Sequence, residues 1–205
     1  MPDDVVIHIV DDEEPVRKSL AFLLTMSGHV ARVHESATAF LKVAPGLQSA
    51  CLITDLRMPD MSGVELLQRL NEHGAMLPAI VITGHGDVPM AVEAMKAGAL
   101  DFIEKPFSDD TLMEALSRAI CELDKRPPAA ADAALVRGRV EQLSEREQQV
   151  MRRIVAGMPN KTIAFELDIS PRTVEVHRAN VMSKMQARNL PELVRMVLQA
   201  GDPVG

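Results

Sequence analysis

The run Cys51-Leu52-Ile53-Thr54-Asp55-Leu56-Arg57-Met58-Pro59-Asp60 decides how the chain folds. Its first half is short and apolar and reads as a buried strand. The strand stops at a carboxylate, Asp55. Met58-Pro59-Asp60-Met61-Ser62-Gly63 then reads as a turn, because proline fixes φ and glycine permits positive φ. A carboxylate at the end of a central strand lies where open α/β sheets keep their chemistry, in the crevice beyond the strand ends.

Outward from this stretch the same pattern repeats. Val5-Val6-Ile7-His8-Ile9-Val10 is β-branched and apolar, and ends at Asp11-Asp12-Glu13-Glu14. Pro15 opens a helix over 16–26, closed by Gly28. Residues 29–34 form a weaker strand, and Ser36 caps a short helix reaching 43. After the central strand, 63–70 is a helix with Val64, Leu67 and Leu70 on one face. A strand over 78–82 ends at Thr83, with Gly84-His85-Gly86-Asp87 as its loop. Residues 88–96 form a helix closed by Gly98, and 100–104 a strand ending at Lys105-Pro106. Asp109 or Asp110 caps a last helix striped with Leu112, Leu116, Ile120 and Leu123. Five strand–helix alternations over 1–124 predict a doubly wound α/β fold, a five-stranded parallel sheet with helices on both faces.

Charge divides the 205-residue chain. Residues 1–124 carry a net −11 and residues 125–205 a net +4, within a total of −7. An acidic half joined to a basic half suggests two domains with different partners, the basic one a polyanion; two ordinary surfaces of opposite sign would look the same. With five Phe and no Trp or Tyr, the cores fall to Val, Leu, Ile, Met and Ala. Cys51 and Cys121 form no C-x-x-C pair, which suits a reduced, cytoplasmic chain. No signal peptide is evident, and no apolar run approaches the roughly 18 residues of a membrane span.

Lys125-Arg126-Pro127-Pro128 breaks the preceding helix, and the alanine-rich stretch after it can regain helix toward Val140. Residues 125–139 are thus the expected linker, and 140–205 a small all-α domain. Ser144-x-x-Glu147 is a capping box opening a helix that carries Val150, Met151, Ile154 and Val155. A helix over 159–167 follows. Ser170 as N-cap and Pro171 at the first position then open a helix over 172–185. Pro191 opens the last, with Leu193, Val194, Val197 and Leu198.

Four strand tips carry Asp11 and Asp12, Asp55, Thr83 and Lys105, and a parallel sheet gathers them on one edge. Crowded carboxylates raise one another's pKa unless a cation lies among them. A hard ion such as Mg²⁺ takes a few carboxylates plus waters. A lysine and a hydroxyl added to these suit a phosphoryl group, and a carboxylate can itself accept it as an acyl phosphate. Taken singly, an Asp after a strand is an ordinary cap and Lys105 an ordinary surface charge; a Ca²⁺ site or a solvated edge would also accommodate these residues.

The runs Val10-Asp11-Asp12-Glu13, Thr54-Asp55-Leu56-x-Met58-Pro59-x-Met61-x-Gly63 and Lys105-Pro106-Phe107 resemble the receiver domain of two-component response regulators, over about residues 3–124. The resemblance implies strand order 2-1-3-4-5. It implies Asp55 as phosphoacceptor, with Asp11, Asp12, Asp55 and the carbonyl of Arg57 holding Mg²⁺. Thr83 and Lys105 would grip the phosphoryl oxygens, Phe102 would be a switching aromatic, and Lys105-Pro106 would be cis.

In the basic half, helices 159–167 and 172–185 suit a helix-turn-helix. Val174, Val181 and Met185 mark the inward face of the second helix; Arg172, Glu175, Val176, Ala179, Asn180 and Ser183 mark the outward one. Ser170 and Thr173 stand at free N–H groups that can hold a phosphate. Lys161, Arg178, Lys184 and Arg188 are candidates for sequence-blind backbone contacts. Asn180 can bond adenine, and Val176 can touch a thymine methyl. A helical bundle that binds protein shares this pattern. Leu143-Ser144-x-Arg146-Glu147, Gly157-Met158-Pro159-Asn160-Lys161-x-Ile163-Ala164 and Ile169-Ser170-Pro171-x-Thr173-Val174-x-x-His177 resemble the LuxR-type DNA-binding domain, over about residues 138–200. That resemblance implies recognition by 172–185 and dimerisation through Leu193, Val194 and Val197. Together the two imply a phosphorylation-controlled transcriptional activator, with a sensor histidine kinase as phosphodonor. Its other partners would be double-stranded DNA, RNA polymerase and, once phosphorylated, a second copy of the chain. It would be no enzyme beyond Mg-dependent self-phosphorylation and slow self-dephosphorylation. An aspartyl-phosphate phosphatase and a phosphorylation-independent scaffold are the rival readings.

Overall fold

The computed structural model describes residues 5–47, 49–75, 77–84, 88–123 and 130–200. The chain divides into two compact units, residues 1–85 with 97–125 and residues 86–96 with 126–205. The first holds a five-stranded parallel sheet, β1 (Val6–Val10), β2 (Val30–His34), β3 (Ala50–Asp55), β4 (Ala79–Thr83) and β5 (Asp101–Glu104). Their order is β2-β1-β3-β4-β5, as expected. In chain order the helices here are α1 (Glu14–Met26), α2 (Ala37–Leu41), α3 (Gly63–Glu72), α4 (Val88–Lys96) and α5 (Asp109–Leu123), α4 grouping with the second unit.

Register follows from the alternation of side chains along each strand. Ile7, Ile9, Cys51, Ile53, Ile80, Ile82 and Ile103 point to one face, where Leu20 and Leu24 of α1 and Leu112, Ala115, Leu116 and Ala119 of α5 complete the core. β3 and β4 are buried almost throughout, as strands covered on both faces must be. β2 is an edge strand with exposed Val30, Arg32 and Val33, which explains its weak apolar signal. Asp101, 3% exposed, accepts the N–H of Phe102 at 2.9 Å and an ion pair from Arg118 of α5. A buried carboxylate requires such partners.

Local chemistry differs from expectation at two helices. The N–H of Thr111 donates to Ser108 Oγ at 3.2 Å, so Ser108 caps α5, not Asp109 or Asp110. Those two lie in its first turn, where carboxylates favour the helix dipole. α2 ends at Leu41, two residues before the expected 43. The loop residues His85, Gly86 and Asp87 and the linker residues 125–129 lie outside the described residues.

The second unit contains α6 (Ala130–Glu141), α7 (Glu145–Val155), α8 (Asn160–Leu167), α9 (Pro171–Met185) and α10 (Leu190–Gln199). The alanine-rich stretch does regain helix, as α6. Ser144 and Glu147 form the expected capping box on α7. Asn189, accepting the N–H of Glu192, caps α10, with Pro191 in its first turn. Among the described residues no helix is long and apolar enough to cross a membrane.

A histidine pair in the first unit joins one buried ring to a half-buried one. His8 on β1 is 1% exposed, and its Nδ1 lies 2.9 Å from Nε2 of His34 on β2, so one ring donates to the other. The rings stack at 5.1 Å between centroids, with Phe40 against both. Burial, then the charges of His34 and Arg32, lower the His8 pKa from 6.5 to about 4. The unfolded chain therefore takes up this proton first as pH falls. Stability from the neutral pair is complete above pH 6.5, declines toward pH 4 and is lost below it. Thermal melts of His8→Leu are expected to show a shallower fall in Tm over this window than the parent chain; parallel pH profiles would contradict the assignment.

Candidate functional site

Register brings the strand tips together. Val10 pairs with Thr54, Asp55 with Ile82, and Thr83 with Glu104. Asp11, Asp55, Thr83 and Lys105 thus lie along the carboxyl edge of β1, β3, β4 and β5. The Lys105 ammonium donates to Asp11 Oδ2 at 3.1 Å and to Asp55 Oδ1 at 2.9 Å. The remaining carboxylate oxygens have backbone donors: Glu13 N–H to Asp11 Oδ1 at 2.8 Å, and Arg57 N–H to Asp55 Oδ2 at 2.6 Å. Burial favours the neutral amine of Lys105, but its bonds to Asp55 and then Asp11 outweigh this and hold its pKa above the ordinary value. The backbone N–H of Lys105 donates to the carbonyl of buried Thr83 at 2.7 Å, which holds the two residues on adjacent strand tips. The Lys105-Pro106 bond is cis. Phe102 is half-buried on β5.

Asp12 is exposed. Among the described residues no three His, Cys, Asp or Glu side chains gather closely enough to hold a metal. Of the three expected acids, Asp11 and Asp55 share the Lys105 ammonium, and Asp12 lies exposed beside Asp11. Lys105 offsets one of the two enclosed negative charges and leaves a net −1 there, which a divalent cation would complement. The oxygen-only donors still fit a hard ion that keeps several waters and takes one or two carboxylates. Asp11 and Asp55 converge on one cation, Asp12 is next in the chain, and Arg57 is exposed with its amide already on Asp55.

The loop after Asp55 is fixed from both ends. Gly63 N–H donates to the Leu56 carbonyl at 2.9 Å. Gly63 is not in the left-handed region, so it is needed for close approach rather than for positive φ. Asp60 Oδ2 accepts the N–H and the hydroxyl of Thr38 at 2.9 and 2.7 Å, tying the loop to α2. Burial raises the Asp60 pKa, but the Thr38 bonds outweigh it and hold the carboxyl below its usual range. Sequence reasoning missed Asp60, because its partner lies on another element.

In the second unit, α8 ends at Asp168 in the left-handed conformation, φ 52°, and turns into α9. Ser170 Oγ accepts the Thr173 N–H at 3.0 Å and lies 2.8 Å from the Thr173 hydroxyl. Val174, Val181 and Met185 are fully buried, as expected. Arg172, Glu175, Val176, Ala179, Asn180 and Ser183 are exposed on the opposite face, Val176 by 55%. Lys161 and Arg188 are exposed cations. Arg178 is half-buried and reaches Asn160 Oδ1 at 3.4 Å, with burial lowering its pKa.

Lys184, expected as a backbone contact, is exposed and also has a partner within the unit. Its ammonium donates to Glu147 Oε2 at 2.6 Å, where the Ser144 N–H also donates at 2.8 Å. Glu147 is 4% exposed, so the pair joins α9 to the cap of α7. Lys184→Ala is expected to cost about 1–2 kcal/mol in urea unfolding, at the low end for a charged bond because the lysine is partly solvated. The bonds from Lys184 and Ser144 also lower the Glu147 pKa below 4.5, so their stabilisation is present above that value and lost as pH falls through the folded pKa. Equal stability of parent and variant at pH 7 would remove this role. Leu193, Val194 and Val197, expected at a dimer face, are buried at 0, 0 and 2% exposure. They pack inward because they form the apolar stripe of α10, and offer no open surface as placed.

Comparison with known proteins agrees with this geometry. Residues 7–117 match the response regulator receiver domain, and residues 141–197 match the bacterial regulatory proteins of the luxR family. The chain is 63% identical over 198 residues to the transcriptional regulatory protein FixJ of Rhizobium meliloti, covering 97% of each. It is 43% identical to the response regulator protein TmoT of Ectopseudomonas mendocina, covering 96% of this chain and 90% of that one. Full-length FixJ from B. japonicum, a crystal structure, is 49% identical with a TM-score of 0.55 over 96% of this chain and 97% of the other. With acids and lysine at the tips of a 2-1-3-4-5 sheet in one unit and a helix-turn-helix in the other, the chain belongs to the FixJ-type response regulators, a receiver domain joined to a LuxR-type DNA-binding domain.

Proposed function

We propose that the chain is a switch in which a phosphoryl group on Asp55 promotes dimerisation and sequence-specific binding to duplex DNA. Residues 1–124 form the receiver, 125–139 the linker and 140–205 the DNA-binding domain. The phosphodonor is the phosphohistidine of a FixL-like sensor histidine kinase, and the site of action is the cytoplasm. The regulated genes serve nitrogen fixation and microaerobic growth, with RNA polymerase as the partner at the promoter. The observation that carries the reading is the Lys105 ammonium shared by Asp11 and Asp55.

In the transfer, an Asp55 carboxylate oxygen attacks phosphorus in line, the phosphorus–nitrogen bond of the donor breaks, and its imidazole leaves. Mg²⁺ held by Asp11, Asp12, Asp55 and the Arg57 carbonyl would neutralise phosphoryl oxygens. Lys105 exchanges its Asp55 bond for a phosphoryl oxygen, and Thr83 donates its hydroxyl to another. The modification adds a charge of about −1.5 to −2. Lys105 and Thr83 draw toward it, Phe102 follows, and the equilibrium between two conformations of unequal dimer affinity shifts. At the DNA, α9 enters the major groove, where Asn180 and Val176 meet base edges, Arg172, Glu175 and Ala179 flank them, and Lys161, Ser170 and Thr173 meet phosphates.

Sedimentation and gel shift with a random duplex pool, before and after acetyl phosphate, test the reading. The expected result is a monomer that becomes a dimer and retains a subset of sequences. A treated chain that stays monomeric and binds as before would refute it.

A further inference from the structure

Arg139, near the end of α6, projects its guanidinium onto the C-terminal end of α9. Its NH1 donates to the Met185 carbonyl at 3.1 Å and its NH2 to Gln186 Oε1 at 2.7 Å. Met185 closes α9, and Gln186 leaves it in the left-handed conformation, φ 57°. The last carbonyls of a helix have no intrahelical partner and carry its negative end, so an arginine there satisfies both needs. One residue earlier, Lys184 ties α9 to Glu147, and about two turns earlier Arg178 reaches Asn160 at the start of α8. The helix is thus held by three cations, two at its C-terminal end and one in its middle, and its exposed face is left for the groove.

The residue before Arg139 is Gly138, in the body of α6, where an added Cβ would meet nothing within 4 Å. Close packing therefore does not require this glycine, and it weakens the helix just ahead of the clamp. α6 is held firmly where Arg139 grips α9 and is softened immediately before that grip.

We infer that Arg139 is a positioning residue for DNA reading: from the linker helix it sets the angle at which α9 presents Val176 and Asn180, without touching DNA itself. This rests on α9 being the recognition helix. A residue of this kind changes discrimination between sequences and leaves the count of phosphate contacts alone.

The test uses the full chain treated with acetyl phosphate, and duplexes that the parent chain selects from a random pool. Arg139→Ala is expected to lower the ratio of selected to random duplex affinity about fivefold or more, with the salt slope unchanged. Arg139→Lys, which can still reach the Met185 carbonyl, should recover part of that ratio. Gln186→Ala should lower it less, and the double variant should fall short of the product of the single effects. A slope reduced by about one would make Arg139 a phosphate contact and overturn the inference. An unchanged ratio in Arg139→Ala would overturn it as well, as would a lowered melting temperature with the ratio intact. If the parent chain selects no sequence, the reading of α9 fails, and the inference with it.

Discussion

Asp55→Asn is expected to abolish labelling of the chain by acetyl phosphate in the presence of Mg²⁺. A carboxamide has no nucleophilic oxygen able to form an acyl phosphate. The substitution is nearly isosteric, and the amide oxygen can still accept the Arg57 N–H that the Asp55 Oδ2 now receives at 2.6 Å. Lys105 also keeps its bond to Asp11 at 3.1 Å, so the variant should fold. Lys105→Met separates the two roles at the site. The acceptor survives there, but the cation that must follow the developing charge does not, and labelling should slow by about 10²-fold. Full labelling of Asp55→Asn, located elsewhere by mass spectrometry, would move the phosphoacceptor away from β3.

Gly63→Ala carries the second large effect. An added Cβ would lie 2.5 Å from the Asp55 carbonyl oxygen and 3.2 Å from the Leu56 Cα. Both neighbours are backbone of the strand tip, which cannot rotate aside as a side chain would. Relief requires moving the start of α3 or the tip of β3, at about 2–3 kcal/mol. The displaced tip would also take Asp55 out of register with Lys105, so labelling should slow even in the folded fraction. Gly138→Ala serves as the contrasting case: its Cβ meets nothing, so α6 should gain about 0.5–1 kcal/mol. Urea unfolding and acetyl phosphate labelling of both variants check the pair. A Gly63→Ala chain as stable and as reactive as its parent would show that the loop yields at no cost.

The receiver site was legible in the sequence because each strand announced its own end. A β-branched run stopping at Asp11, Asp55 or Thr83 is a local event, and a parallel sheet places all such ends on one edge. The capping box at Ser144 was local in the same sense, since partner and helix start lie three residues apart. Helical periodicity likewise gave the buried face of α9. It gave the stripe of α10 too, but not whether that stripe would lie open, and Leu193, Val194 and Val197 proved buried.

By itself the sequence determined the elements and the residue types at each strand tip, which depend on spacings of a few residues; the strand order came from the receiver resemblance and is the order the sheet has. Tertiary structure decided the pairings. Lys105 meets Asp11 across 94 positions of chain and Asp55 across 50, Thr38 meets Asp60 across 22, and Lys184 meets Glu147 across 37. Periodicity assigns a side chain to a face, but the atom it touches depends on the angle and offset at which elements pack. For that reason the partners of Lys105 and the reach of exposed Lys184 to buried Glu147 could be read only from the fold.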